Sequence, residues 1–595
     1  MRNADTVLGI IRERGTQGLP VEDLYRQLYN PDLYLRAYAH LYPNEGAMTA
    51  GATTETADGM SLAKIDAIIE ALRFERYRWT PVRRVHIPKR NGKTRPLGIP
   101  TWSDKLLQEV IRMILEAYYE PQFSERSHGF RRGRGCHTAL SEVTRRWTGT
   151  KWFIEGDIKG CFDNINHDVL LAILGERLHD GRFLGLIGDL LKAGYIEHWR
   201  YGKTLSGTPQ GGVVSPILAN IYLDRLDQFV EQVLIPEHTR GESRRWNNRY
   251  AALKTRARNR AKKGDHEQAR TIRKEMRSLP SGDPNDPGYR RLRYVRYADD
   301  FLLGFIGPKA EAETIKQTLG TFLLQELKLE LAQDKTLVTH AKRGARFLGY
   351  SVSARIANDQ LDGNRRRNIN GIIGLRVPPD VIQRWKSFYL RKGKPAPRPE
   401  MLRDEDFTIV SRYQAEFRGI FQYYLLAYNV SHFGNLQWVM QQSLCRTLAA
   451  KHKSSAKKMA DKYRATVQTE HGRRSCLQVV EPRPGKPLRI AQFGGIPLRR
   501  NRSAILVDRS PTRHRTERTE LLQRLLADEC ELCGSTNQVE VHHVRHLKDL
   551  NRNGPHSRPR WMEIMAARRR KTLVTCRACH EQIHAGSYDG RKLSA

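Results

Sequence analysis

Apolar positions along the chain switch repeatedly between helical and strand period. Near the start, LPVEDLYRQLYNPDLYLRAYAHLY puts Leu24, Leu28, Leu33, Leu35 and Tyr38 at helical spacings, with Pro31 as a break or a first-turn residue. Residues 44–60, rich in Gly, Ala and Thr, read as a loop. Val82, Val85 and Ile87 in WTPVRRVHIPK alternate as in a strand, and the long apolar run SDKLLQEVIRMILEAYYEP predicts a helix ending at Pro121. Residues 152–158 read as another strand. Further on, RYVR and FLLGF flank Tyr297-Ala298-Asp299-Asp300, which is the pattern of a β-hairpin with a polar tip. From about residue 380 the helical period returns in FRGIFQYYLLAYNV and LQWVMQQSLCRTLAAKHK. Residues 475–520, rich in Pro, Arg and Gly, read as a small basic module with a linker. No repeat of 20–50 residues is visible.

At 595 residues the chain is long enough for about three to five domains. Lys and Arg number 102 against 64 Asp and Glu, a net charge of +38 that points to a polyanionic partner, nucleic acid first. Mean hydropathy is −0.62, yet 39% apolar residues suffice for several cores. The longest run without Asp, Glu, Lys or Arg, residues 419–445, is studded with Asn, Gln, Ser and His, so no membrane span is expected. The N-terminus lacks a secretory pattern, and a cytoplasmic protein, nucleoid-associated when on DNA, is expected. Between His238 and Pro280 there are 14 Lys/Arg against 4 Asp/Glu. This segment reads either as a solvated helical hairpin or as a positive arm for RNA.

Candidate chemistry begins with carboxylates. Asp299 and Asp300 sit at the hairpin tip, and Asp157 closes the strand-like stretch before Phe162. Two strand-borne carboxylate sites can converge on a pair of Mg²⁺ ions and serve phosphoryl transfer. Taken singly, Asp157 also reads as a turn or capping residue, and YADD as a solvated acidic turn.

Seven ordered blocks then carry a resemblance: IPKRNGKTRPLGIPTWSDKLLQEVI, HGFRRGRGCHTAL, DIKGCFDNINHDVLL, GTPQGGVVSPILANIYLDRLD, YVRYADDFLLG, LELAQDKTLVTH and RFLGYSV. Together they resemble a group II intron-encoded reverse transcriptase/maturase of the bacterial type with a C-terminal HNH endonuclease. The resemblance implies that Asp157, Asp299 and Asp300 are the catalytic carboxylates, with Asp157 and Asp299 as direct metal ligands and Asp300 partly structural. It makes Phe162 the gate beneath the sugar of the incoming dNTP, against core packing as the plain alternative. Lys89 and Arg95 become contacts to the triphosphate, against a merely solvated face. Gln210 and Gly211 line the templating pair, and Phe347, Leu348, Gly349 and Tyr350 form the primer grip. For Lys335 a triphosphate contact and a palm salt bridge stand side by side.

The last 70 residues are informative on spacing alone. Cys530/Cys533 and Cys576/Cys579 form two C-x-x-C pairs, 42 residues apart, suited to a tetrahedral zinc site. His542 and His543 lie on a strand-like run, and His580 and His584 share a helical face at i and i+4. This resembles an HNH nuclease, which implies that His542, His580 and His584 hold a catalytic metal, Mg²⁺ or a similar ion, and that His543 is the general base. Lys571-Thr572 stands where that family usually has its middle Asn, Asn551 and Asn553 lie elsewhere, and His546 is the next candidate base. A structural zinc ribbon with incidental histidines is the plain alternative.

The expected fold is a multidomain α+β chain: a right-hand polymerase with fingers and palm, a helical thumb, a small basic DNA-binding segment and a ββα-metal HNH module. Expected boundaries are 1–80 for an extension binding intron RNA, 81–375 for fingers and palm, and 376–474 for the thumb and maturase domain. Residues 475–525 follow as DNA-binding segment and linker, and 526–595 as nuclease. The resemblance implies RNA-directed DNA synthesis, help with intron splicing, and nicking of target DNA for target-primed copying. Implied cofactors are Mg²⁺ and structural Zn²⁺; implied partners are group II intron RNA, target DNA and dNTP. The competing readings are a non-enzymatic splicing cofactor with relic sites, and a reverse transcriptase of a defence or diversity-generating system.

Overall fold

The strand-period stretches around the carboxylates come together in one antiparallel sheet. A computed structural model describes residues 3–88, 92, 94–198, 200–204, 206–207, 211–361, 363, 367–483, 486–505, 520–544, 559–568 and 570–588. In this palm sheet the order is Arg291–Tyr297, Asp300–Ile306, Trp152–Asp157 and Val338–His340. Strand alternation sends Phe153, Val295 and Leu302 to one face, and Ile154, Tyr294 and Leu303 to the other. The first set joins a core shared with the thumb, the second a core shared with fingers and N-terminal helices. The palm is therefore the wall between the two main cores.

The fingers sheet runs Thr94–Ile99, Val82–Pro88, Tyr195–Glu197, Arg200–Gly202. Behind it lies the helix Trp102–Tyr119, which is buried on nearly every side, as its almost continuous apolar run demands. Its Glu109, fully buried, is matched by Arg112 at 2.7 Å and His40 at 2.8 Å. Pro31 occupies the first position of the helix Pro31–Leu41, where Asn30 caps by accepting from the Asp32 N–H. Of the two readings of Pro31, the first-turn one holds. The basic segment after residue 238 is a hairpin of Asn248–Lys262 and His266–Ser278 around a small cluster of Leu253, Ala257 and Ile272.

The thumb helices Asp406–Tyr423 and Phe433–Lys451 share their core with a three-stranded meander, Arg464–Thr469, Gly472–Arg483 and Lys486–Gly494. Leu477, Val479, Ala491 and Phe493 supply its buried face, and residue 474 falls inside its middle strand. At the C-terminus, Val539–His543 and Thr572–Cys576 pair antiparallel and lead into the helix Arg577–Ala585, a ββα unit. Leu521, Leu522, Leu525, Val541 and Val574 pack into the same core as the N-terminal helices, so the two ends of the chain meet. Among the described residues no helix is long and apolar enough to cross a membrane.

One polar contact in the palm is wholly enclosed. Arg296 and Asp227 are both 0% exposed and meet at 2.5 Å. Asp227 also accepts from the Tyr294 hydroxyl at 2.8 Å, while Arg296 donates to Asn220 Oδ1 at 3.2 Å and to the Ala298 carbonyl at 2.9 Å. A buried charge left alone is far costlier than a buried pair. Arg296→Met should therefore destabilise the chain by about 3–5 kcal/mol, and Arg296→Met with Asp227→Leu should recover most of that loss. Denaturant midpoints of wild type, single and double variants check this; a single variant as stable as wild type would show the pair to be dispensable.

Candidate active sites and metal centres

The catalytic-looking turn is built on that buried pair. Tyr297 pairs with Asp300, leaving Ala298 and Asp299 as a two-residue tip. Ala298 takes a φ of +55°, a conformation that disfavours side chains, and its carbonyl is held by Arg296. Gly129 presses against this tip: a Cβ there would lie 2.3 Å from the Ala298 nitrogen. Asn220 in turn donates to the Gly129 carbonyl at 2.9 Å. Three of the sequence blocks, HGF, PILAN and YADD, thus converge on one backbone contact.

Asp157 lies directly across from Asp300 in the pairing of the two central strands. Asp300 still reaches solvent, but reduced access to water, the charges of Asp299 and Asp157, and a proton shared with Asp157 push its carboxyl up to about 7. Asp299 is raised in the same direction, first by burial and then by Asp157. Negative charge is therefore concentrated here beyond what the nearby cations neutralise, which suits a divalent ion. Lys335 donates to Asp157 at 2.5 Å, so of its two readings the palm salt bridge is the contact present. Arg95, exposed on the fingers strand Thr94–Ile99, is near enough to lower Asp299 electrostatically.

Phe162 sits in the short turn of helix Cys161–Asn164, half-buried, its ring edge-to-face with Phe130 at 6.1 Å. It packs against the first core and remains partly exposed. Gly211 has a φ of +104° and lies on the fingers strand, where a Cβ would meet the Gly98 carbonyl at 2.6 Å. Lys89, Gln210, His546, Asn551 and Asn553 lie outside the described residues. Phe347, Leu348, Gly349 and Tyr350 form a tight hairpin whose tip residues, Leu348 and Gly349, both have positive φ. The Tyr423 hydroxyl donates to the Leu348 carbonyl at 2.8 Å and that of Tyr424 to the Gly349 carbonyl at 3.2 Å. The end of the first thumb helix thereby grips the hairpin.

In the C-terminal module the four cysteines close on one point. Ligand atoms of Cys530, Cys533, Cys576 and Cys579 all lie within 4.8 Å of each other, and Cys533 and Cys576 sulfurs are 3.7 Å apart. Four sulfurs at 2.3 Å from a tetrahedral ion are spaced by about 3.8 Å. Burial and the neighbouring thiols push the Cys579 thiol far up, a penalty that a shared cation removes. His542, His580 and His584 form a second group, their rings 4.8–5.2 Å apart, but a fourth residue stands among them: Asp58, from the loop before Leu62–Arg73. His543 is 6% exposed, and its Nε2 meets the Tyr38 hydroxyl at 2.8 Å. Burial lowers His543 to about 4, so its ring is neutral at cellular pH. Opposite His543 in the strand pair stands Thr572.

Comparison with known proteins agrees with this geometry. Residues 87–352 match the family model described as reverse transcriptase (RNA-dependent DNA polymerase). Residues 380–474 match type II intron maturase, and 530–580 match AI2M/AI1M-like, HNH endonuclease. The chain is 39% identical to the group II intron-encoded protein LtrA of Lactococcus lactis subsp. cremoris, over 94% of this chain and 95% of that protein. The chain belongs to the group II intron-encoded proteins. It is also 35% identical to an uncharacterized 91 kDa protein in the cob intron of Schizosaccharomyces pombe, covering 95% of this chain and 70% of that one. Protein YkfC of Escherichia coli is 33% identical over 56% of this chain and 84% of its own length.

This group II intron-encoded protein is thus a multifunctional one, with RNA-directed DNA polymerase, maturase and HNH DNA endonuclease domains in a single chain. Several of its site-building residues carry no sequence signal of their own. Asp58 is one of three carboxylates in a Gly-, Ala- and Thr-rich loop, Tyr38 one apolar position among several on its helix, and Arg296 one cation among 102. Asp227 is detectable only as a charge on the apolar side of the helix Ser215–Phe229.

The raised carboxyl of Asp300 fixes a pH dependence. An unfolded Asp titrates near 4, so between about 4 and 7 the folded chain holds a proton that the unfolded chain releases. This contribution is full below pH 4 and lost as pH rises through 7. In zinc-loaded, Mg²⁺-free protein, wild type should therefore lose stability relative to Asp300→Asn between pH 5 and 8. Thermal midpoints of the two proteins across that range check it, and a constant difference would refute the shared proton.

Proposed function

We propose that this protein copies RNA into DNA from a 3′ end that its own nuclease module creates in target DNA, and that it acts bound to the RNA of its intron. The observation that carries the reading is the facing of Asp157 and Asp300 on paired strands, with Asp299 at the tip, Lys335 on Asp157, and Arg95 opposite. Asp157, Asp299 and Asp300 are assigned to the Mg²⁺ site, Asp157 and Asp299 as direct ligands and Asp300 as partly structural. Mg²⁺ ions held by these carboxylates would supply activation of the primer 3′-hydroxyl and stabilisation of the leaving pyrophosphate. The chain's own residues do the rest. Arg95, with Lys89, neutralises the triphosphate; Phe162 closes the space a 2′-hydroxyl would need; Gln210 and Gly211 set the templating pair; Phe347–Tyr350 hold the primer end against the thumb.

In the nuclease module, His543 is assigned as general base, oriented by its Nε2 contact with Tyr38. The four cysteines are assigned to structural Zn²⁺, and His542, His580 and His584 to a divalent ion that polarises the scissile phosphate. Residues 1–80 and 376–474 are the proposed intron RNA surface, and 475–525 the proposed DNA contact. The charge of +38 supports both, since each phosphate neutralised releases counterions.

Asp299→Ala should reduce primer extension on an RNA template to background, while filter binding of intron RNA stays within a few-fold of wild type. His543→Ala should abolish nicking of target DNA and leave extension of a pre-annealed primer intact. A variant that keeps synthesis at the wild-type rate after loss of Asp299 would overturn the palm assignment. Phe162→Val should increase ribonucleotide incorporation about tenfold or more, since a 2′-hydroxyl clash discriminates at the scale of 1–3 kcal/mol. An unchanged preference for deoxynucleotides would return Phe162 to core packing.

A further inference from the structure

Asp58 belongs to the N-terminal extension, yet its carboxylate is set among three histidines from the far end of the chain. Oδ2 lies 2.7 Å from His584 Nε2, and Oδ1 lies 3.1 Å from His580 Nε2 and 3.4 Å from His542 Nδ1. The facing Nε2 atoms of His580 and His584 are 3.1 Å apart. Four ligand atoms at 2.0–2.1 Å from a tetrahedral ion are spaced by about 3.3 Å, so these separations describe the edges of such a site.

Two independent observations point to a cation at the centre. His542 is 4% exposed, and among the described residues neither of its ring nitrogens makes a hydrogen bond, although its Nδ1 comes within 3.4 Å of Asp58 Oδ1. A buried imidazole without a partner is costly, and a metal ion would satisfy it. His580, for its part, sets Nδ1 2.8 Å from Glu540 Oε2. A carboxylate behind a histidine takes its N–H and turns the other nitrogen's lone pair outward, the usual support of a metal-binding imidazole. The other nitrogen then faces the Asp58 carboxylate at 3.1 Å, a contact that either a proton on the ring or a metal ion between the two atoms makes favourable.

We propose that Asp58 is the fourth protein ligand of the nuclease metal, so that one divalent cation fastens the N-terminal extension to the C-terminal module. The proposal rests on the reading of His542, His580 and His584 as metal ligands and extends it. Three histidines leave a tetrahedral ion one open position, which a catalytic site reserves for water or substrate. Asp58 fills that position. A scissile phosphate must therefore displace the Asp58 carboxylate, and the docked arrangement is the closed form of the nuclease. The loop around Asp58 is tied at three further points. The Gly59 N–H donates to the Val541 carbonyl at 3.0 Å, and the Val541 N–H to the Met60 carbonyl at 2.9 Å. The His543 N–H donates to Asp58 Oδ1 at 2.7 Å.

The test uses the full chain, stripped of metal and titrated with Zn²⁺ against a competing chelator, with amide exchange followed at residues 59 and 541. Wild type should bind two zinc ions at sites of different affinity, and the second should slow exchange at both amides. Asp58→Asn keeps an oxygen for the His543 N–H but loses the charge. It should weaken the second zinc about tenfold or more, since even outer partners of a metal ligand are worth 10–100-fold. The four-cysteine zinc should be unaffected, which shows the module still folded, and the metal should no longer slow exchange at 59 and 541. Equal affinity for the second zinc in wild type and Asp58→Asn would overturn the proposal, as would amide protection indifferent to metal. His580→Ala separates the two levels of failure. If it loses the second zinc while Asp58→Asn keeps it, the three-histidine site stands and only the role of Asp58 falls. If neither variant changes the second zinc, the histidine reading falls and the proposal with it.

Discussion

Asp157, Asp299 and Asp300 are crowded at one end of a strand pair against their own repulsion, and much of the palm is organised to hold them there. The backbone of the tip is pinned from below by Arg296, whose charge is matched by Asp227 where water does not reach. Arg296 is thus more than a core residue with a satisfied charge: one of its N–H groups reaches the carbonyl of the strained Ala298. From the side, Gly129 leaves room for the tip, and Asn220 holds Gly129 in place. Removing the cation beneath the turn would release both the strain and the repulsion at once. Buried ion pairs are generally poor sources of stability. This one makes sense as a device for fixing geometry, because its donors end on the turn that carries the carboxylates.

The same electrostatic logic recurs at the other centres. Four thiols packed together, and three imidazoles packed around a carboxylate, are arrangements whose unmetallated forms pay for crowding and desolvation. The palm answers its surplus of negative charge with Lys335, Arg95 and a proton on Asp300. Within the C-terminal module two of the thiols sit where a strand meets a helix: Cys576 ends Thr572–Cys576 and caps Arg577–Ala585, which places Cys579 one turn on. His580 and His584 then follow on the same helix, so one short element serves both metal groups.

Much of this was legible in the sequence because the chemistry is local. The carboxylate hairpin, the strand ending at Asp157, the two C-x-x-C pairs and the i, i+4 histidines each lie within a few residues of one another, and period and spacing suffice to place them. Family resemblance supplied the roles and the polymerase fold. What the sequence did not show is contact between distant segments. No periodicity connects Asp58 to His584 or Tyr38 to His543, and nothing in LAYNV or QYYLL announces that Tyr423 and Tyr424 will clamp the hairpin at Leu348 and Gly349. Residues 475–520 read as a small basic module with a linker, and the strands within 475–494 use alternate apolar residues such as Leu477, Val479 and Phe493 to bury one face of a meander, a pairing that composition alone does not give. Thr572, standing where the HNH family usually has Asn, faces His543 across the strand pair and accepts from Arg524 at 3.0 Å, while the His543 ring, the proposed base, is contacted by Tyr38 instead.

The two ends of the chain meet through contacts of two physical kinds. Leu521, Leu522 and Leu525 bury themselves in the N-terminal core, so the nuclease module is docked by an apolar contact as well as by polar ones. Apolar burial of that kind is broad and non-directional, whereas the Asp58 and Tyr38 contacts are directional and fall on the residues that would cut DNA. An apolar hinge with a polar latch is an arrangement in which the latch opens without the hinge letting go. The N-terminal extension is also the proposed surface for intron RNA. Tyr38 packs edge-on against the Trp102 ring, and Met60, two residues after Asp58, accepts from the Trp102 indole N–H, so both directional contacts are set against the start of the helix Trp102–Tyr119.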